Sequence, residues 1–200
     1  MSMKIRTLIG SVAVAAALAS CGISADGRLA LYTPTVATEY RIQGTTDRFV
    51  GCDNLDGASA KTQVRVKFSS SGFVKTASVR LVGNTTDAQN NNFVANFART
   101  DLVVANENRD YTLYFDADAE TGQLLPTSKG LSSQSIVVNP APRTIKNVTV
   151  SGDPISGPSG GFKAKLSGTS DQDSPAEAPL SGVTPVYTNC TTVSDTGVKL

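Results

Sequence analysis

Apolar and polar residues alternate with a period of two along most of this chain. In "TQVRVKF", Val64, Val66 and Phe68 fall on one face, and Gln63, Arg65 and Lys67 on the other, as in a strand with one side buried. In "FVKTASVRLVG", Val79 and Leu81 alternate with Ser78 and Arg80. With "SSSG" as the turn between them, residues 62–83 read as a β-hairpin. "DYTLYFDAD" puts Tyr111, Leu113 and Phe115 on one face. "TEYRIQG", "FVANFA", "TDLVVAN", "SQSIVVN", "TIKNVTVSG", "GFKAKLSG" and "GVTPVYTNCTTV" supply the remaining strands. Beyond the first twenty residues no stretch carries a helical stripe with caps. About eight to ten short strands divided by Gly, Asn and Ser turns predict an all-β chain folded as an antiparallel β-sandwich, with a small β-barrel as the alternative.

Three stretches break the rhythm. "NTTDAQNNN", residues 84–92, reads as a polar loop. "NPAPR", residues 139–143, holds two prolines that cannot sit in a central strand, and so marks an edge or a crossing between sheets. "SGTSDQDSPAEAPLSG", residues 167–182, is rich in Ser, Pro and acids and reads as a long surface loop. Within the sandwich class the expected type is Ig- or fibronectin-like. Over some fifteen residues, "NRDYTLYFDADAETG" loosely resembles the tyrosine-bearing strand of fibronectin type III domains.

The first twenty residues differ from the rest. "MSMKIR" carries Lys4 and Arg6 and no acid, and "LIGSVAVAAAL" is apolar apart from Gly10 and Ser11. A basic start before a short apolar run is the pattern of a secretory leader. A spanning helix would need roughly 20 apolar residues. The run ends in Leu18-Ala19-Ser20-Cys21, which resembles the lipobox of bacterial lipoproteins. That resemblance implies cleavage after residue 20, a diacylglyceryl group and fatty acid (palmitate among them) on Cys21, and attachment to the cell envelope. In that family an aspartate after the cysteine favours retention at the inner membrane. Residue 22 is Gly, so the expected address is the outer membrane or cell surface. One acyl chain holds a protein only marginally, at about 0.8 kcal/mol per buried methylene, whereas several together anchor it durably. The expected organisation is a leader over 1–20, a lipidated tether over 21–35 and a single sandwich domain over 36–200.

Of the three cysteines, lipidation of Cys21 would leave Cys52 and Cys190. In an exported, oxidising compartment that pair reads as one disulfide, the alternatives being two free thiols or pairing between molecules. A formal charge of +1 supplies no electrostatic case for nucleic acid. The chain has no histidine, which removes the commonest general base and the commonest transition-metal ligand.

The candidate chemistry is sparse. "GPSGG", residues 157–161, matches the outline of a nucleophile elbow but lacks the histidine and the following helix that such a site requires. Asp116, Asp118 and Glu120 alternate in "DADAETG", so a strand would project their carboxylates the same way, as Ca²⁺ requires. The EF-hand pattern fails at Thr121 and Thr127. No Trp is present to form a sugar platform, and Tyr32 and Tyr40 are the aromatics least committed to a core. No cofactor beyond the lipid, and no enzymatic activity, is expected. The expected role is a structural or accessory contact subunit of an envelope assembly or the cell wall. It would use sheet edges and the 84–92 and 167–182 segments. A module binding glycan or Ca²⁺ is the alternative, and an enzyme built on carboxylates alone comes third.

Overall fold

The computed structural model describes residues 28–52, 55, 61–83, 89–118, 137–138, 140–150, 161–187 and 189–200. In chain order the strands begin with β1 (Ala30–Leu31), β2 (Thr35–Thr38), β3 (Tyr40–Ile42) and β4 (Phe49–Cys52). Three long ones follow: β5 (Lys61–Ser71), β6 (Val74–Gly83) and β7 (Gln89–Ala98). After a 3-10 turn at Arg99–Asp101 come β8 (Val103–Ala105), β9 (Asp110–Asp118) and β10 (Val137–Val138). The last five are β11 (Thr144–Val150), β12 (Gly161–Ser170), β13 (Pro175–Glu177), β14 (Thr184–Tyr187) and β15 (Cys190–Lys199).

The chain is all-β, with two sheets packed face to face. One sheet runs β1-β5-β9-β10, with β2 also on β5 and β8 on β9. The larger runs β15-β11-β3-β4-β14-β12-β6-β7, with β13 on β12. The expected sandwich is antiparallel, and most pairs are, but β11 with β3 and β14 with β4 run parallel. Parallel neighbours arise where the chain leaves one sheet and returns by a crossover, which alternation in sequence does not encode. More strands are described than the eight to ten expected, because several are pieces of two to four residues.

The alternation predicts the faces well. Val64, Val66 and Phe68 from β5, Val79 and Leu81 from β6, and Tyr111, Leu113 and Phe115 from β9 all enter the main core between the sheets. Phe97, Phe162 and Leu166 close it from β7 and β12. A second cluster gathers Tyr40, Val50, Val148 and Tyr187 around Cys52 and Cys190. A third, of Ala37, Tyr114, Ile145 and Leu200, covers the other side of β9. Tyr40 is fully buried, so of the two uncommitted tyrosines only Tyr32 stays on the surface.

The predicted 62–83 hairpin does not form. β5 and β6 lie in different sheets: β5 pairs with β9 over its length, and β6 pairs with β12 and β7. Gly72 sits at φ +110°, a conformation that glycine adopts readily, and there the backbone leaves the plane of the first sheet and arches into the second. Both strands bury one face, so a hairpin and an arch produce the same alternation.

The two expected loops are largely structured. Gln89 to Asn92 already belong to β7, while 84–88 lie outside the described residues. In 167–182, the first four residues complete β12. A turn with Asp173 at φ +58° then reverses the chain, and β13 pairs back on Ser167–Thr169. Ala178 N–H donates to Leu166 O and Ser181 N–H to Ala164 O, lacing the rest of the segment to β12. The sandwich also starts earlier than residue 36. Leu29 and Leu31 are buried in the main core, and β1 packs beside Gly168, where a Cβ would come within 2.7 Å of Thr76 O and 3.5 Å of a Leu31 methyl.

"NPAPR" proves to be a crossing: its described part, 140–143, leads from β10 in one sheet to β11 in the other. Between β8 and β9, Asn106, Glu107 and Asn108 all have positive φ, at 47°, 54° and 67°. Tyr111 fastens this left-handed turn. Its hydroxyl donates to Asn108 O at 2.6 Å and accepts from Val74 N–H at 3.3 Å, while its ring stacks on Phe68 at 5.1 Å. Asn tolerates this backbone region, whereas Glu pays about 1–2 kcal/mol for it. Glu107→Gly is therefore expected to stabilise the domain by about 0.5–1 kcal/mol, the relief being partly offset by the extra freedom of glycine in the unfolded chain. A rise in the urea midpoint at unchanged slope checks it.

Candidate functional site

The densest polar grouping lies where the chain changes sheets. β2 belongs to the smaller sheet and β3 to the larger, and Glu39 is the single residue between them. Its side chain is 1% exposed. Glu39 N–H donates to Gln63 O at 3.1 Å, and its own carbonyl accepts from Lys146 N–H at 2.8 Å, so one residue's backbone ties β5 to β11. Carboxylate Oε1 accepts from Gln63 N–H at 2.8 Å and from Arg143 Nη1 at 2.7 Å. Oε2 has no hydrogen-bond partner and lies 3.6 Å from Lys146 Nζ.

Arg143 ends the proline-bearing crossing and bridges two acids, its other nitrogen donating to Asp116 Oδ2 at 2.9 Å. Gln63 completes the grouping: its Oε1 accepts from Arg143 N–H at 2.6 Å, and its Nε2 donates to Ala141 O at 3.1 Å. Thr38 Oγ1 donates to Val50 O and accepts from Tyr40 N–H at 3.3 Å. Two acids are thus matched by two cations and by backbone donors. Glu39 Oε1 and Asp116 Oδ2 are thereby committed to donors from both sheets. The arrangement is a clamp between sheets.

The residues predicted from sequence divide as follows. Cys52 and Cys190 form a disulfide, with Cα atoms 5.8 Å apart across a sequence separation of 138 residues. Such a closure removes about 5 kcal/mol of unfolded-state freedom on the chain-entropy model, and here it pins β4 to the start of β15. Asp116 is buried and engaged by Arg143, so a cation would have to displace a guanidinium to reach it. The Asp118 side chain and all of Glu120 lie outside the described residues, as do Cys21 and the first four residues of "GPSGG". Among the described residues no group of three or more His, Cys, Asp or Glu is placed to hold a metal, and no helix is long and apolar enough to cross a membrane.

Glu39, Gln63, Arg143 and Lys146 escape a reading of the sequence. They come from separate segments with no spacing rule to join them. The one available signal was a lone acid, Glu39, inside the alternating run "ATEYRI".

Two surface features remain. On the outer face of the larger sheet a shallow groove of about 700 Å³ crosses β7, β6, β12 and β13. Thr76, Ser78, Asn96, Ser167, Thr169 and two acids, Asp101 and Glu177, contribute polar groups, while most of the exposed lining is apolar, with Ala98, Pro175 and Ala176 among it. Beside it Lys75 binds Asp173 at 2.7 Å, and that hydrogen bond and charge raise the lysine's pKa above its ordinary value. The second feature is β15, which ends the larger sheet. Among the described residues only β11 pairs with it, and its residues from Thr191 to Lys199 are exposed or half-exposed, Val193 and Val198 included. On the other sheet, burial lowers the pKa of Arg65, with Tyr114 opposing the shift. The charge of Arg65 then lowers that of Lys67.

Removing Arg143 would strand two buried carboxylates. Breaking such a pair costs about 3–5 kcal/mol, and Arg143→Ala is expected near the lower end because its side chain keeps 36% of its exposure. Chemical denaturation measures it, and a loss under about 1 kcal/mol would mean that solvent already neutralises the cluster. No protein family, curated protein or solved structure matches this chain.

Proposed function

We propose that this chain is a bacterial envelope lipoprotein, anchored through Cys21, that acts by contact as a structural or accessory subunit of a cell-envelope assembly. The outer membrane or cell surface is its proposed site, and no catalytic role is assigned. The leader and its Leu-Ala-Ser-Cys ending support the anchor. The proposal includes the finer fold relation, an Ig- or fibronectin-like sandwich, supported by the Tyr111 hydroxyl returning to a carbonyl three residues upstream as in a tyrosine corner.

The observation that carries the contact role is β15. A ten-residue strand paired on one side by β11 and, among the described residues, by no strand on the other is a template for a further strand. Its pairing to β11 is irregular between Thr144 and Lys146 and again between Asn147 and Val148, and Gly197 sits at φ +71°. Such irregularities blunt flat self-association and favour a partner shaped to them. The edge also lies away from the chain entry. β11 meets the Glu39 clamp beside Gln63, and from Gln63 to Ser71, where β1 joins, β5 spans roughly 26 Å at about 3.3 Å per residue.

Mild detergent extraction of native membranes should recover the protein with a stoichiometric envelope partner. Val193→Lys with Val198→Lys should lose that partner while leaving thermal unfolding within about 0.5 kcal/mol of the parent, as expected for exposed sites. Recovery as a lone monomer counts against the assembly role.

The groove supports a second reading, a module for a polyhydroxylated ligand such as a glycan. The hydroxyls and the amide within its mostly apolar lining can exchange hydrogen bonds with sugar hydroxyls. Envelope glycans should then raise the melting temperature of the parent and not of Asn96→Ala, and indifference of both removes this reading.

A further inference from the structure

The chain enters the sandwich at a definite place. A Cβ on Gly72 would lie 3.4 Å from Arg28 O and 3.9 Å from Leu29 Cα, and Ala30 pairs with Ser71. The entry point is therefore beside the arch that carries β5 into β6. The chain from Cys21 to Arg28 spans at most roughly 25 Å even when fully extended, at about 3.3–3.6 Å per residue. If Cys21 is lipidated, as proposed above, this end of the domain is held that close to the bilayer whatever the rest does.

The side chains displayed there differ from those of the neighbouring sheet faces. Phe73, next to the entry point, is 48% exposed, and Tyr32, whose N–H donates to Ser69 O, is 54% exposed. The Arg99 guanidinium lies 5.7 Å from the centre of the Phe73 ring and donates to Val74 O and Asn108 Oδ1. Arg28 and Arg109 are exposed, and Arg109 O accepts from Ser70 N–H, which places it on the same end. Two of the acids nearby are engaged. Asp110 accepts from Ser69 Oγ and Asn106 Nδ2, which hold its pKa below the usual carboxylate range, and Asp173 is taken by Lys75. Glu107 is exposed. Aromatic rings that are half wet, with arginines beside them, suit the headgroup layer: the ring enters the acyl boundary while the guanidinium meets phosphate oxygens.

We infer that this end is a membrane foot, in which Phe73 and Tyr32 dip into the surface of the bilayer that carries the anchor and Arg28, Arg99 and Arg109 bind lipid phosphates. The domain then stands upright, and β15 faces away from the membrane. A short tether makes the bilayer the surface always present at this end, at high effective concentration.

The natural lack of tryptophan makes the test direct. Full-length lipidated Phe73→Trp, reconstituted in phosphatidylethanolamine–phosphatidylglycerol vesicles, should show blue-shifted emission. Brominated acyl chains should quench it by about half, as for a ring at the headgroup–acyl boundary. Val198→Trp, on β15, should stay unquenched. Tyr32→Trp serves as a second reporter should the first variant fold poorly. Solvent-like, unquenched emission from both foot reporters in protein that floats with the vesicles overturns the foot and leaves the anchor standing. Emission that is blue-shifted only in native membranes, and unquenched in vesicles, assigns the rings to a protein partner and overturns it too. Protein that fails to float with vesicles removes the anchor, and the foot with it.

Discussion

One buried carboxylate holds this architecture together. Glu39 stands where the chain steps from the smaller sheet to the larger, and every polar group it offers except Oε2 is hydrogen-bonded to one sheet or the other. Burying a charge costs several kcal/mol unless cations and donors surround it. Here Arg143, Lys146 and the Gln63 amide meet that cost. Arg143 in turn ends the crossing from β10 to β11, so two of the places where the described chain changes sheets are held by the same charges. Apolar packing is non-directional and would tolerate several alignments of the two sheets. A short, directed set of charge-assisted bonds tolerates few.

The disulfide works beside that clamp and by a different physical route. Cys52–Cys190 joins β4 to β15 within the second apolar cluster and acts mainly by restricting the unfolded chain. The clamp and the bridge both stiffen the part of the sandwich that carries β11 and β15. The long pairs β5–β9 and β6–β12 then act as a rigid spacer back to the chain entry beside Gly72. The proposed role as a lipid-tethered contact protein would use such a layout: an attachment end, a body of long paired strands, and an edge presented at a distance.

Much of this was legible in the sequence. Strand faces followed from alternation because burial on one side of a strand acts residue by residue, and Val64, Val66, Phe68, Leu113 and Phe115 needed no knowledge of their partners. That residues 139–143 leave a central strand was legible because proline cannot donate to a ladder, whereas the choice between an edge and a crossing was not. The long polar segment at 167–182 was misjudged, because pairing of β13 on β12 depends on backbone bonds that composition does not reveal. The 62–83 hairpin failed for a related reason: one glycine at φ +110° sends the chain to another sheet without altering the pattern on either side.

The sequence by itself determined the all-β class and the inward faces, since both rest on local chemistry, while for Cys52 and Cys190 it offered a disulfide beside free thiols and intermolecular pairing, and the structure decided for the bond. Tertiary structure alone decided which strands became neighbours, where two pairs run parallel, and that Asp116 serves a clamp with Glu39 and Arg143. Those outcomes depend on contacts between residues distant in the chain. The free energy of such contacts resides in mutual distance and burial, and neither quantity exists until the sheets close on one another.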